Sequence, residues 1–143
     1  MILIIGANGF FGNQLQKFFL KKKISFFPTD ISLKNENYLD VKNLNSIKNL
    51  LKSKNISIVI NCSCEPATSK SKKKLWKTNV IGNQNLIEAC VEFSIQKYIY
   101  ISTSAIWVKN YKEAVLEGEK YFPVENYGKS KVRAEKDIKN SNL

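Results

Sequence analysis

The chain has no histidine, a single arginine (Arg133), three cysteines and no long apolar run. Without histidine, Cys62, Cys64 and Cys90 supply neither a four-ligand zinc spacing nor a disulfide framework, and they read as small, largely buried thiols. No metal site is expected. With one arginine, the rigid fork that reads base edges is nearly absent, and no RNP-like, zinc-finger or helix-turn-helix signature compensates for it. Nucleic acid is not expected as a partner. No apolar stretch reaches bilayer-crossing length, and a strand-like run starts at Met1 with no signal-peptide n-region ahead of it. The expectation is a cytoplasmic protein with no membrane partner. Six glycines and three prolines are too few for a low-complexity polymer. A length of 143 residues leaves room for one domain, 1–143, and not for two.

Acidic groups are also scarce, 12 against 23 basic ones, for a formal net charge of +11. The excess is lysine, densest at residues 70–77 (KSKKKLWK), where it would attract phosphate by simple field effects or form a solvated helix entry. What remains is the 43% hydrophobic and 11% aromatic content of a folded chain.

Residues 1–5 (MILII) are a continuous apolar run ended by Gly6, which suits a central parallel strand covered on both faces. Residues 13–23 (NQLQKFFLKKK) read as a helix with Leu15, Phe18 and Phe19 inward and an end near Lys22. A second strand, 24–29, stops at Asp30, and Leu39-Asp40-Val41 marks a short third strand or its exit. Residues 43–54 place Leu44, Ile47, Leu50 and Leu51 at helical spacing, followed by a strand at 56–62 (ISIVINC). A helix over 75–93 carries Val80, Leu86, Ile87 and Cys90 inward with some irregularity in the repeat. A strand at 98–102 (YIYIS) and a helix opening near Tyr127 complete the order. The alternation predicts an α/β chain with a doubly wound, Rossmann-like parallel sheet and right-handed crossovers.

In the first connection, GANGFFG puts glycines at 6, 9 and 12. Gly6 can take a tight turn, Gly9 lets the backbone approach a diphosphate, and Gly12 lets helix and strand pack closely. The diphosphate would sit at the helix N-terminus, where free N–H groups and the dipole favour anions. Asp30, eighteen residues beyond Gly12 at the end of the second strand, has the spacing of an acid that accepts hydrogen bonds from a ribose. Its charge would repel a 2′-phosphate, which favours NAD and leaves NADP as the alternative. A turn-capping role is the plainer reading of the same residue. In YISTSAIW the strand ends in Ser102 and Thr103, pointed at the crevice outside the strand ends. On the last helix Lys131 lies one turn beyond Tyr127 on the same face. An ammonium near a phenol favours the phenolate, so Lys131 is expected to lower the Tyr127 pKa toward a working range. The phenolate would then take a proton from an alcohol and the phenol return it, with Thr103 holding the same oxygen.

These blocks in this order resemble the extended branch of the short-chain dehydrogenase/reductase superfamily, the NAD-dependent epimerase/dehydratase family. GANGFFG is similar to its glycine pattern, VINCSCEP to its fourth strand and following loop, and NVIGNQNLIEAC to the helix whose asparagine, here Asn79, supports the site. KYIYISTSAIW resembles the strand bearing the catalytic Ser/Thr, and NYGKSKVRAEK the Tyr-x-x-x-Lys helix. The resemblance implies an NAD(P)-dependent epimerase or reductase acting on a nucleotide-linked sugar, with a homo-oligomer left open. It implies cofactor contacts at Gly6, Gly9, Phe10, Phe11, Gly12, Asp30, Asp40, Val41, Asn79 and Lys131, and catalytic roles for Thr103, Tyr127 and Lys131. The Asp-Glu pair of the dehydratases is replaced by Ser104 and Ala105, which disfavours dehydration. Trp107 and Val108 replace the usual Tyr-Gly ending. Family members are longer, so the sheet is expected to stop before its last strands and the C-terminal substrate region. A non-catalytic dinucleotide-binding fragment or regulatory module is the alternative.

Overall fold

A computed structural model describes residues 1–107 and 120–143. Four short strands lie parallel in one sheet: β1 (Ile2–Ile5), β2 (Phe26–Thr29), β3 (Ile58–Asn61) and β4 (Lys97–Tyr100), in spatial order β2-β1-β3-β4. β1 sits between β2 and β3, with Ile2 opposite both Phe26 and Ile58, as its unbroken apolar run predicts. Successive side chains leave opposite faces of a strand. Leu3 and Ile5 therefore enter one core with Ile47, Leu51, Val59, Leu86 and Cys90, while Ile4 enters the other with Ala7, Phe19 and Ile60.

Helices cover both faces. α1 (Phe10–Lys21) packs Leu15 and Phe19, four residues apart, against the second core. Phe18, expected inward, is 51% exposed, because the 3.6-residue turn carries it off the stripe that Leu15 and Phe19 define. α1 also begins three residues before the predicted 13, since Gly9 is extended and its carbonyl already accepts from Asn13 N at 2.9 Å. On the other face α2 (Leu44–Ser53) is capped by Asn43, whose side chain accepts from Ser46 N at 3.0 Å, and buries Ile47 and Leu51. It lies beside α4 (Gly82–Glu92), with Lys48 2.8 Å from both Glu88 and Glu92. α4 continues from a four-residue α3 (Lys72–Leu75) through a π turn at Trp76–Ile81, which accounts for the irregular repeat read in the sequence. α5 (Asn126–Lys139) rests against α4 through Gln84–Asp137 and Asn83–Ala134 hydrogen bonds.

Of the two readings of Leu39–Val41, a short third strand or its exit, the strand does not form and the segment follows an isolated pairing. One parallel bridge, Asp30 to Tyr38, takes its place. Pro28 lies in β2 and has no N–H to give; Asn37 Nδ2 already donates to its carbonyl at 2.7 Å from the outer side. That edge therefore lacks a donor and has an acceptor in use, so a further ladder cannot run along it. Leu39 and Val41 are nonetheless buried, joining the core as loop side chains. Among the described residues no helix is long and apolar enough to cross a membrane.

Candidate active site

The glycine turn has two positions where a side chain is barred. Gly6 has φ of 78°, and an added Cβ would lie 2.6 Å from Ser63 N and 2.8 Å from the Cys62 carbonyl carbon. A Cβ on Gly12 would stand 2.3 Å from the Gly6 oxygen, so α1 presses directly onto the turn. Gly6 N and Ala7 N both donate to Thr29 O, at 2.9 and 3.0 Å, tying the turn to the end of β2. α1 opens on Gly9 with no side-chain cap and no acidic residue in its first turn, so its first N–H groups keep their anion-binding capacity.

This turn forms one wall of a cleft of about 510 Å³. Gly6, Gly9, Phe10 and Phe11 line it, with Phe10 79% exposed at its mouth; Asp30, Asp40 and Val41 also line it. Asp30 caps its turn and also faces the cleft. Its carboxylate accepts from Asn8 N at 3.1 Å and from Ser32 N and Oγ at 2.9 and 2.7 Å. Asp40 accepts from Lys42 N at 3.0 Å and pairs with its ammonium at 3.3 Å. Val41 is buried against Gly82, where a Cβ would fall 2.5 Å from a Val41 methyl.

The cleft runs on to Cys62, Ser63 and Cys64 past the end of β3. There the predicted triad comes together. Thr103 follows β4 and caps the next turn, its Oγ1 accepting from Ala105 N at 3.2 Å. The Thr103 hydroxyl and the Cys64 thiol lie close enough to the Tyr127 phenol to shift its pKa, the first downward and the second upward. Lys131 is 2% exposed; its Nζ donates to Ile101 O at 2.8 Å, lies 4.6 Å from the Tyr100 ring centroid and 5.8 Å from that of Tyr127. Asn79, raised to this point by the π turn, is buried; it accepts from Glu65 N at 2.8 Å and donates to Ser130 Oγ at 3.1 Å. Ser130 Oγ in turn donates to Tyr127 O at 2.7 Å, so Asn79 joins the loop after β3 to the first turn of α5. Asn79 is linked to the triad, not to the glycine turn.

Burial dominates the electrostatics. It lowers the Lys131 pKa from the usual lysine range, against the raising influence of Cys64, Cys62 and Glu135. Burial, followed by the neighbouring Cys64, raises the Tyr127 pKa, while the Thr103 hydrogen bond lowers it. This reverses the expected direction for the phenol, because burial outweighs the influences that favour the phenolate, and the Lys131 Nζ stands 5.8 Å from the Tyr127 ring centroid, turned to the Ile101 carbonyl. Cys62 is pushed up to about 11 by burial. Of the three thiols, Cys90 is buried and Cys62 half-buried, but Cys64 is exposed, which corrects the reading of all three as buried.

Several residues of this region escaped the sequence reading. Glu135 accepts from Ser102 Oγ and, at 2.6 Å, from Tyr121 Oη. Its position one turn past Lys131 on the same face was the available signal. Cys64 sits in the quoted VINCSCEP block, yet nothing in its spacing points to Tyr127, sixty-three residues away. Trp107 packs near Tyr121 with ring centroids 6.2 Å apart, whereas Val108 lies outside the described residues. Lys72 and Lys129, with Trp76 and Asn126, line a second cleft of about 400 Å³ between the starts of α3 and α5. Among the described residues no group of three or more Cys, Asp or Glu is placed to hold a metal ion.

Known proteins resemble this chain in sequence and in fold. An uncharacterised UDP-glucose epimerase of Bacillus subtilis, YtcB, is 30% identical over 157 residues, covering 94% of this chain and 49% of that protein. Human sterol-4-alpha-carboxylate 3-dehydrogenase, decarboxylating, is 24% identical over 97% of this chain and 39% of its own length. The crystal structure of a dTDP-4-dehydrorhamnose reductase from Clostridium acetobutylicum superposes with a TM-score of 0.85 at 32% identity, covering 99% of this chain and 49% of that one. Other solved neighbours are complexes with NAD or NADP. The chain thus spans half or less of the length of these relatives. The model of the NAD dependent epimerase/dehydratase family matches residues 2–142, and with the glycine turn, parallel sheet and Tyr-x-x-x-Lys helix all in place, the chain belongs to that family.

Proposed function

We propose that this chain is the cofactor-binding and acid–base half of an NAD(P)-dependent epimerase or reductase acting on a nucleotide-linked sugar. One observation carries the reading: the cleft that begins at an uncapped helix N-terminus on the glycine turn reaches Cys64, the residue whose thiol neighbours the Tyr127 phenol beside Thr103 and Lys131. The residues suit a dinucleotide. Gly6 and Gly12 let the β3 exit and α1 pack directly on the turn, Gly9 borders the cleft without a side chain, and α1 offers free N–H groups to a diphosphate. Asp30, held by Asn8 and Ser32 at the cleft wall, is placed for ribose hydroxyls and disfavours a 2′-phosphate, hence NAD ahead of NADP. When bound, the nicotinamide supplies a hydride acceptor or donor.

The protein's own groups handle the proton. With its pKa raised, Tyr127 is a phenol at neutral pH, suited to protonating the oxygen of a ketone as it becomes an alcohol. In the reverse direction it must first lose its proton, so alcohol oxidation should speed up as pH rises. Thr103 shares the reacting oxygen. Lys131, fixed by Ile101 and Tyr100, is a positive charge at the base of the site. Ser104 and Ala105 stand where dehydratases carry an acid pair, which leaves epimerisation or ketone reduction.

The test combines NAD binding with turnover of a panel of UDP- and dTDP-sugars and their keto forms. Tyr127→Phe should abolish turnover and keep NAD affinity; unchanged turnover removes Tyr127 from the mechanism. NAD binding without turnover of any of the panel would favour a non-catalytic dinucleotide-binding module.

A further inference from the structure

Glu135 lies one turn beyond Lys131 and two beyond Tyr127, so the three share a face of α5. Its two carboxylate oxygens serve different parts of the chain. Ser102 Oγ donates to Oε1, and Tyr121 Oη donates to Oε2 at 2.6 Å. Lys139 Nζ donates to the Tyr121 oxygen at 3.0 Å, and the next residue, Phe122, donates its N–H to Ile106 O at 2.8 Å. The segment leading into α5 is thereby fastened to the turn that follows Thr103. Among the described residues no lysine or arginine forms an ion pair with Glu135, so this is not a surface salt bridge.

Each fastened point adjoins a group of the proposed chemistry. Ser102 immediately precedes Thr103, and Ile101, one residue earlier, holds the Lys131 ammonium through its carbonyl. Tyr121 lies shortly before Tyr127. We propose that Glu135 is a positioning residue: its carboxylate ties the end of β4 and the Tyr121 segment to α5, and so sets where Thr103 and Lys131 stand relative to the Tyr127 phenol. The proposal rests on the acid–base reading given above. Hydroxyls donating to a carboxylate form strong, short bonds, suited to holding groups within the tolerance that proton transfer needs. Besides Glu135, the groups facing Lys131 are Cys62 and Cys64 from beyond β3, Tyr100 from β4 and Tyr127 from α5. Of these, only Glu135 grips both segments that flank the site.

Two variants separate hydrogen bonding from charge. Glu135→Gln can still engage Ser102 and Tyr121, while Glu135→Ala cannot. For Glu135→Ala the expected result is a fall in kcat on the order of tenfold to a hundredfold with NAD affinity unchanged, the usual scale for a misplaced reacting group. Glu135→Gln should restore much of that kcat, with the basic limb of its pH profile moved to lower pH, because the negative charge that favours the charged form of Lys131 is gone. Wild-type kcat and pH profile in both variants would overturn the proposal. So would parallel losses of kcat, NAD affinity and thermal stability, which would mark Glu135 as purely structural. Should the wild type turn over no substrate, the functional reading fails, and the NMR signal of the Thr103 methyl group, assigned through Thr103→Ser, still decides: it should move in Glu135→Ala and stay near its wild-type place in Glu135→Gln. An unmoved Thr103 signal in Glu135→Ala then overturns the positioning role.

Discussion

Two tyrosines two residues apart on one face of β4 show how much a buried hydroxyl depends on its partners. Tyr98 Oη donates to Asn83 Oδ1 at 2.7 Å and accepts from Asn61 Nδ2 at 3.0 Å, whereas the buried Tyr100 hydroxyl has no partner among the described residues. Tyr100→Phe keeps the ring beneath Lys131 and removes the orphan, so it should stabilise the fold by about 1 kcal/mol; Tyr98→Phe should cost about 1–3 kcal/mol by stranding the asparagines. Urea midpoints of the two variants would check the opposite signs. Lys131 gives a pH-dependent counterpart. Its folded pKa is lowered by burial, so well below that value both states are charged and only the folded one bears the desolvation. Between the folded value and the unfolded one near ~10.4, the folded state is already neutral and the penalty disappears. Wild-type stability should therefore rise relative to Lys131→Met as pH climbs through that window, as unfolding midpoints at several pH values would show. At this scale the sequence revealed residue identities but not states. Tyr127 and Lys131 were singled out by their spacing together with the glycine turn, Asp30 and Thr103 ahead of them, while the raised phenol was not foreseen, since spacing says nothing about how deeply a ring is buried.

Among the elements, α1 is the one whose entry is most tightly specified. Gly12 allows the helix to lie on the Gly6 carbonyl, and a methyl group there would meet that oxygen at 2.3 Å. Gly12→Ala should push α1 off the turn and weaken NAD binding on the order of tenfold or more, a loss of about 1.4 kcal/mol or greater. Titration calorimetry would measure it, and wild-type affinity would count against the turn as the diphosphate cradle. The strand–turn–helix order was legible because apolar runs, glycines and helical spacing are local signals. The missing third strand was not, because Leu39 and Val41 are buried just as strand residues would be, and the obstacle, Pro28, sits in the neighbouring strand. The π turn was sensed only as an irregular repeat. Its effect, bringing Asn79 to Ser130, depends on contacts across fifty-one residues.

For the whole molecule, alternation of strands and helices was enough to anticipate a parallel sheet with helices on both faces, since crossover handedness and burial leave few other arrangements. The tie between the end of β4 and the segment entering α5 was less accessible, being made by Glu135, whose partners lie in separate segments. The position of Pro28 has one more consequence, for how this protein meets others of its kind. An exposed sheet margin is a template on which a second chain can add a strand, the usual route to aggregation. At the β2 margin an incoming strand would find a proline without an N–H and a carbonyl already claimed by Asn37. That flank is closed to recruitment, and among the described residues the strand-adding margin is Lys97–Tyr100, where Lys97 and Ile99 face solvent. Growth of the sheet, whether useful or pathological, is thus confined to the side that carries Ser102 and Thr103.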